Sequence, residues 1–187
     1  MSVLPKAQGP MRKFALLFTL LAVFTITAQS VTPPDPPVVG TTAPAFKLLS
    51  NEAREISLSK YKGKWVVLYF YPKDFTSGCT LEAHNFQRDL EKYKKLHTVI
   101  LGVSVDTAES HKSFCTKEGL NFKLLADTDA KVSEQYGSVM DYKGTKLSAR
   151  NTFIINPKGK IAKVFVKVSP AGHSDEVLAA LAELRKS

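Results

Sequence analysis

The stretch "WVVLYFYPKDFTSGCTLEA", residues 65–83, joins a long apolar run to a cysteine. Its first seven residues are aromatic or aliphatic without a polar break, the pattern expected of a strand buried on both faces. Pro72 ends this run, and Thr76 or Ser77 is a suitable N-cap for a following helix. The stretch therefore predicts a central strand, a short loop and a helix that carries Cys79 in its first turn.

A βαβ unit is expected around this stretch. Cys79 begins a series of apolar residues spaced three or four apart, which marks one face of a helix. The series continues with Ala83, Phe86, Leu90 and Tyr93. The run "TVILGVSV", residues 98–105, resembles the first strand in composition. A helix between two such strands implies that the strands are central and parallel.

The rest of the chain predicts two more helices, a short strand and a hairpin. One helix spans about Thr107 to Glu118 and stops at Gly119, and the strand is "FKLLAD" at 122–127. The hairpin is "NTFIINPKGKIAKVFVKV" at 151–168, which turns at Pro157, Lys158 and Gly159 with Val164, Val166 and Val168 on one face and Lys163 and Lys167 on the other. The last helix has Ser174 as its N-cap and carries Val177, Leu181 and Leu184. Parallel strands followed by an antiparallel hairpin predict a thioredoxin-like α/β fold, a central mixed sheet flanked by helices.

The N-terminal region is expected to direct export. Residues 1–30 read as a signal peptide or N-terminal anchor, because Arg12 and Lys13 precede an apolar run of 13 residues and a small-residue end. A membrane span needs about 20 apolar residues, so no stable span is expected after cleavage. Residues 31–37 are a Pro-rich linker, and the domain covers 38–187. The predicted location is periplasmic, lumenal or secreted, with an uncleaved anchor as the alternative.

Charge gives no sign of a nucleic-acid partner. The chain has 187 residues and a formal net charge of +9, of which residues 1–30 contribute three basic residues and no acid. The remaining basic residues are scattered, without the aromatic-basic stripe that nucleic-acid binding favours, and are interpreted as a solvated face.

Cys79 has two possible roles on this pattern alone. Unpaired amides and the positive end of the macrodipole in a first helical turn favour a thiolate, which is the reactive form. A core-facing cysteine is equally typical of a small buried hydrophobe. These two interpretations remain open from the local residues.

The surrounding motif resembles a known active site. Pro72, Thr76 and Cys79 form P-x-x-x-T-x-x-C, and residues 71–83 resemble the peroxidatic loop of peroxiredoxins, most closely the bacterioferritin comigratory protein or peroxiredoxin Q branch of the AhpC/TSA-type superfamily. The similarity continues through "GVSVDTAESHKSF", "LLADTD" and "ARNTFIINPKGKI" and covers about residues 38–185. It implies a monomeric thiol peroxidase for hydrogen peroxide and organic hydroperoxides, with no metal or organic cofactor and a thioredoxin-like dithiol as reductant.

The resemblance also implies residue roles. Cys79 attacks the peroxide, Thr76 and backbone amides hold it, Pro72 shields the site, Arg150 polarises the peroxide, and Glu82 orients the arginine. This sequence departs from the family pattern at two positions. Ser77 occupies a position that is usually proline, and His84 occupies the position where many members carry the resolving cysteine. Cys115 is then the resolving cysteine, as in some members of the branch.

The position of Cys115 predicts a conformational change. It lies 36 positions after Cys79, near the end of the next helix, so the two sulfurs are not expected to start within bonding distance. A disulfide needs Cα atoms within about 7 Å, which requires local unwinding. Ser77 and Gly78 provide the easier hinge.

Three alternatives to a peroxidase remain from the residues. A copper-binding module would use Cys79 with His84 or His111, but it lacks a second nearby thiol. A thiol-disulfide exchange module needs Cys-x-x-Cys, and Glu82 stands where the second cysteine would be. A purely structural Cys79–Cys115 disulfide is compatible with an exported domain. All four histidines lack metal-ligand spacing and are expected to be solvated or capping: His84, His97, His111 and His173.

Overall fold

The computed structural model of the protein describes residues 1–2 and 34–186. Nearly all of the predicted signal segment at 1–30, and residues 31–33 of the predicted linker, lie outside the described residues. The described end of the linker, Pro34 to Pro36, has its backbone against Gly137, where a Cβ atom would come within 2.5 Å of it. Within residues 34–186, none of the helices has the length and hydropathy that a membrane span requires.

Seven strands form one mixed sheet in the order β2-β1-β5-β4-β3-β8-β9, and β6 and β7 pair separately. Their bounds are β1 Lys47–Ser50, β2 Glu55–Ser57, β3 Trp65–Phe70, β4 Thr98–Ser104, β5 Lys123–Ala126, β6 Val139–Tyr142, β7 Thr145–Ser148, β8 Thr152–Ile155 and β9 Ile161–Phe165. The predicted central strands β3 and β4 are parallel, as are β4 and β5. The flanking pairs are antiparallel, which makes the sheet mixed, as predicted.

Five α-helices flank the sheet in the described chain: α1 Ser77–Arg88, α2 Leu90–Lys95, α3 Ala108–Glu118, α4 Lys131–Gln135 and α5 His173–Leu184. Both predicted ends of α3 are confirmed. Thr107 is its N-cap and accepts a hydrogen bond from the Ser110 amide, and Gly119 ends it in the left-handed conformation with φ 65°.

The alternation of side chains along β3 divides the core into two clusters. Val67, Tyr69 and Tyr71 face a cluster to which α1, α2, α3 and α5 contribute. Val66, Leu68 and Phe70 face a second cluster, which residues before β1 and from α4 cover. Burial on both faces is why β3 has no polar interruption.

The predicted face from Cys79 to Tyr93 is buried, but Asp89 divides it between two helices. Asp89 is the C-cap of α1 and the N-cap of α2. Its buried carboxylate also accepts a hydrogen bond from the Ser174 hydroxyl. The expectation that Ser174 caps α5 is therefore wrong: Gly172 is the N-cap, and Ser174 instead ties α5 to the junction of α1 and α2.

The predicted second strand of the hairpin is too long. β9 ends at Phe165, and Val166 is 54% exposed. The chain turns away from the sheet here because Lys167 takes a left-handed conformation with φ 51° and donates its amide to Asn151 Oδ1. The same turn brings Val168 to the Arg150 carbonyl, so this segment supports the site described below.

Candidate active site

Cys79 lies in the first turn of α1, as predicted, with its side chain 2% exposed. Thr76 is the N-cap, and its carbonyl accepts the Thr80 amide at 2.9 Å in the first helical hydrogen bond. The amides before Thr80 precede this bond and have no intrahelical acceptor, which leaves partial positive charge at the helix start. This local geometry favours negative charge at the position of the sulfur.

The sheet topology brings Arg150 to Cys79 across 71 positions of sequence. β8 is antiparallel to β3, and Thr152 at its start pairs with Tyr69 near the end of β3. Residues just before Thr152 therefore meet the loop that follows β3. Arg150 Nη2 donates to Cys79 Sγ at 3.2 Å, which places a guanidinium on the sulfur.

Glu82 holds the same guanidinium from the other side. It is fully buried one helical turn after Cys79, and its Oε2 accepts a hydrogen bond from Arg150 Nη1. Burial raises the pKa of Glu82 to about 7, although the charge and hydrogen bond of Arg150 oppose this shift. Burial also disfavours the charge of Arg150, but Glu82 and Cys79 raise the pKa of the guanidinium above its ordinary value. The arginine thus stays charged beside the sulfur.

Asn151 is a site residue that sequence reasoning missed. Its side chain accepts the Lys167 amide and donates to the Gly137 carbonyl and the Ser138 hydroxyl. Its carbonyl accepts the Phe70 amide at the end of β3. These contacts fix the backbone next to Arg150. The sequence feature that could have identified Asn151 is its position as a polar residue directly before the apolar strand β8.

Thr76 and Pro72 belong to the segment between β3 and α1 that leads to Cys79. The Thr76 hydroxyl donates to the Lys73 carbonyl at 3.0 Å, so its oxygen remains available to accept a hydrogen bond from a ligand. Both residues line a groove of about 470 Å³. The other lining residues are Lys73 and four from the β6–β7 hairpin: Met140, Tyr142, Thr145 and Leu147.

Cys115 lies on α3 and is 7% exposed. Burial raises the pKa of its thiol to about 12, and the nearby negative charges of Asp74 and Glu52 add to this shift. Neither cysteine is in a disulfide, and both side chains belong to the same apolar cluster. The two cysteines are therefore not bonded, as predicted for the starting state, and the structure shows in addition that both are buried in one core.

The expectation for the histidines is wrong for two of the four. His84 and His97 are exposed, and His84 pairs with Glu118 at 3.0 Å. His111 and His173 are fully buried because each has a polar partner, Asp74 Oδ2 at 2.9 Å and Thr152 Oγ1 at 2.8 Å respectively. In the part of the chain that the structure describes, no three histidine, cysteine, aspartate or glutamate side chains group so as to hold a metal ion.

Comparison with known proteins identifies relatives over most of the chain. The AhpC/TSA family matches residues 39–164. The chloroplast peroxiredoxin Q of Sedum lineare is 43% identical over 147 residues, 78% of each chain. The putative peroxiredoxin bcp of Coxiella burnetii is 44% identical over 150 residues, which cover 76% of this chain and 97% of that protein.

Solved structures agree with these relatives. Two structures of Xanthomonas campestris peroxiredoxin Q, each with one cysteine replaced by serine, are 36% identical with a TM-score of 0.70 and cover 74% of this chain and 90% of that one. The two replaced cysteines are 36 positions apart in that protein. The predicted thioredoxin-like fold is confirmed by this likeness. The chain belongs to the AhpC/TSA family, in its peroxiredoxin Q and Bcp branch, and is a thiol peroxidase that acts on hydroperoxides.

Proposed function

We propose that Cys79 is the peroxidatic cysteine and that Arg150, Thr76, Pro72 and Glu82 complete its site. The contact of the Arg150 guanidinium with Cys79 Sγ, held by Glu82, is the observation that carries this assignment. The Cys79 thiolate attacks one peroxide oxygen, so that an S–O bond forms and the O–O bond breaks. The other oxygen leaves with the bonding electron pair and takes a proton to become water or an alcohol. Cys79 becomes a sulfenic acid.

Arg150 and Thr76 act on different parts of the peroxide. The guanidinium stabilises the charge that develops on the oxygens as their bond breaks. The Thr76 oxygen accepts the hydroxyl hydrogen of the hydroperoxide, because its own hydrogen is donated to the Lys73 carbonyl. Glu82 keeps the guanidinium oriented, and Pro72 shields the site. Positioning of this kind reduces the entropic cost of bringing the two reactants into line.

The groove beside the site supports organic hydroperoxides as substrates besides hydrogen peroxide. It begins at Pro72 and Thr76 and continues along apolar side chains of the β6–β7 hairpin, notably Met140 and Leu147. An alkyl group attached to the peroxide can lie in it while the reacting oxygens stay near Thr76. Leu147→Asp should then slow turnover of cumene hydroperoxide several-fold while leaving hydrogen peroxide turnover nearly unchanged.

Cys115 is the proposed resolving cysteine. Its thiol attacks the sulfenic sulfur of Cys79, forming a disulfide and releasing water, and a thioredoxin-like dithiol reduces the disulfide by exchange. The spacing supports this assignment, since the two cysteines mutated in the Xanthomonas campestris protein are 36 positions apart, like Cys79 and Cys115. Both thiols are buried, so local unwinding precedes the bond.

The same proposal includes export and a monomeric state. The basic, then apolar, then small-residue pattern of residues 1–30 supports a signal peptide or anchor followed by the linker at 31–37. The reductant is then a dithiol protein of the compartment that receives the domain.

The deciding experiment is peroxide consumption by the purified protein with a thioredoxin system. Wild type should turn over hydrogen peroxide, and Cys79→Ser should not, while its circular dichroism spectrum stays that of wild type. Undiminished turnover in Cys79→Ser would reject the assignment of the peroxidatic cysteine.

A further inference from the structure

A buried carboxylate joins the loop before Cys79 to the helix that carries Cys115. Asp74 is 3% exposed and accepts three hydrogen bonds. Tyr71 Oη donates to Oδ1 at 2.7 Å, and Ser110 Oγ and His111 Nδ1 donate to Oδ2 at 2.7 and 2.9 Å. Asp74 belongs to the loop, and Ser110 and His111 belong to α3. The contact therefore spans the two segments that a Cys79–Cys115 disulfide must rearrange.

His111 and Cys115 share one face of α3. They are four residues apart, which places their side chains one helical turn from each other. His111 reaches the loop through Asp74, while Cys115 packs in the apolar cluster. A movement of α3 as a whole that carries Cys115 out of this cluster must also separate His111 and Ser110 from Asp74.

An aromatic contact reinforces the same junction. The Phe75 ring packs edge-on against Phe114 with centroids 5.1 Å apart, and Lys117 Nζ lies 5.5 Å from the centroid of Phe75. Phe75 directly follows Asp74 in the loop. The polar contacts of Asp74 and the apolar contact of Phe75 are thus adjacent, and both hold the loop against α3.

Two features of the junction oppose these contacts. Phe75 has φ 62°, a left-handed conformation that is strained for a bulky side chain and persists only when surrounding contacts hold it. His111 Nε2 is buried with no hydrogen-bond partner among the residues that the structure describes. A buried polar atom without a partner is costly, and exposure to water removes that cost. Both costs disappear when α3 leaves the loop.

We propose that Asp74, Ser110 and His111 are positioning residues that form a clamp, and that opening of this clamp sets the rate at which Cys115 reaches Cys79. The inference rests on the proposed function, in which Cys115 resolves the sulfenic acid. In the closed state Cys79 faces Arg150 and Cys115 is enclosed in the core. Opening frees α3 and hydrates the Cys115 thiol, so it can ionise and attack. The clamp therefore favours peroxide reduction while closed and disulfide formation once open.

Ser110 provides a mild test with a matched control. Ser110→Ala removes one hydrogen bond to the Asp74 carboxylate but keeps the backbone bond to the Thr107 cap. Ser113→Ala makes the same substitution three residues later, where the hydroxyl is exposed and donates only to the Glu109 carbonyl. Alanine favours helix at both positions. Ser110→Thr keeps a hydroxyl and should restore the wild-type behaviour.

The reduced full-length variants are mixed with about one equivalent of hydrogen peroxide, and quenched samples are quantified by mass spectrometry for Cys79 sulfenic acid and for the disulfide. Cys79 oxidation should stay within about twofold of wild type in both variants. Disulfide formation should be about tenfold faster in Ser110→Ala, the effect of losing one hydrogen bond to a charged group, and unchanged in Ser113→Ala. Ser110→Ala should also resist over-oxidation at higher peroxide concentrations, because its sulfenic acid persists for less time.

Hydrogen exchange in the reduced protein tests the clamp without the disulfide. Amides of α3 should exchange about tenfold faster in Ser110→Ala, and at the wild-type rate in Ser113→Ala. Equal or slower disulfide formation in Ser110→Ala than in Ser113→Ala would overturn the clamp while leaving Cys115 as the resolving cysteine. Persistent Cys79 sulfenic acid without a disulfide in wild type would instead overturn the resolving role, and the clamp with it.

Discussion

Cys79 and Cys115 are both buried, both free and both part of one apolar cluster, but they have different neighbours. Cys79 stands at a helix start, and Arg150 donates to its sulfur at 3.2 Å. Cys115 stands near the end of a helix, where burial raises the pKa of its thiol to about 12. The two thiols are similarly buried, but a positive charge lies beside Cys79, whereas the negative charges of Asp74 and Glu52 lie near Cys115. Positive charge beside the sulfur, and not exposure of the sulfur, distinguishes Cys79, the proposed peroxidatic cysteine, from Cys115.

Replacing each cysteine in turn by serine should give the largest difference in peroxide consumption. Cys79→Ser should abolish peroxide consumption, because serine is not ionised at neutral pH and cannot replace the thiolate. Cys115→Ser should still consume about one equivalent per chain, then stall with a thioredoxin-type donor and over-oxidise. Stoichiometric peroxide assays with and without reductant measure both effects. Full multiple turnover in Cys115→Ser would make Cys115 a bystander.

Changes to the groups around Cys79 should have the next largest effect. Arg150→Ala and Thr76→Val should each slow single-turnover oxidation of Cys79 by about 10²-fold, the loss typical of removing one group that stabilises developing charge. Stopped-flow measurements at limiting peroxide give this rate, and thermal unfolding of the same samples serves as the control. Wild-type oxidation in either variant would mean that the residue has another role.

Glu82 should show a smaller, pH-dependent effect. Glu82→Gln should slow Cys79 oxidation about tenfold at pH 8, because Arg150 loses its charged partner. The charged form of Glu82, which supports oxidation of Cys79, lowers the stability of the fold. Folding raises the pKa of Glu82 from 4.5 to about 7, so its favourable contribution is complete below pH 4.5 and lost as the pH rises through 7.

Thermal unfolding of wild type and Glu82→Gln at pH 5 and pH 8 checks this sign. The midpoint of wild type should fall relative to that of the variant between the two values. A wild-type midpoint that rises relative to Glu82→Gln over this interval would contradict the raised pKa.

The smallest effect is expected at His84, the position where many family members carry their resolving cysteine. Its side chain is exposed, and its pairing with Glu118 resembles surface ion pairs that contribute about 0–1 kcal/mol. His84→Ala should leave peroxide turnover unchanged and shift the unfolding midpoint by no more than a few degrees. A large loss of turnover would give this surface residue a part in the cycle.

Strands that are buried on both faces could be predicted from sequence, whereas β1 and β2 at one edge of the sheet could not. β3 and β4 are continuous apolar runs because neither face meets water. β1 and β2 have four and three residues with mixed exposure, so they show neither an apolar run nor a clear period. The β6–β7 hairpin did leave a signal: Lys143 and Gly144, both with left-handed φ, form its turn.

The site divides in the same way. Cys79 was placed from local pattern, because its helix follows directly from β3. The role of Arg150 could be predicted only from the family resemblance. The pairing of β8 with β3 brings Arg150 to the sulfur, and no local sequence pattern encodes that pairing. Asp74 and His111 were missed because a loop aspartate and a helical histidine usually face solvent. They are buried as hydrogen-bond partners of each other, through His111 Nδ1 and Asp74 Oδ2.

The shared cluster of the two cysteines affects the lifetime of the protein as well as its chemistry. Phe86 and Phe114 pack in the cluster that holds Cys79 and Cys115, so moving either sulfur uncovers aromatic core. Under the proposed cycle, the disulfide form is then the species most open to proteolysis, and it persists only until a reductant arrives. Scarcity of reductant would shorten the survival of the enzyme itself, linking its abundance to the supply of electrons in its compartment.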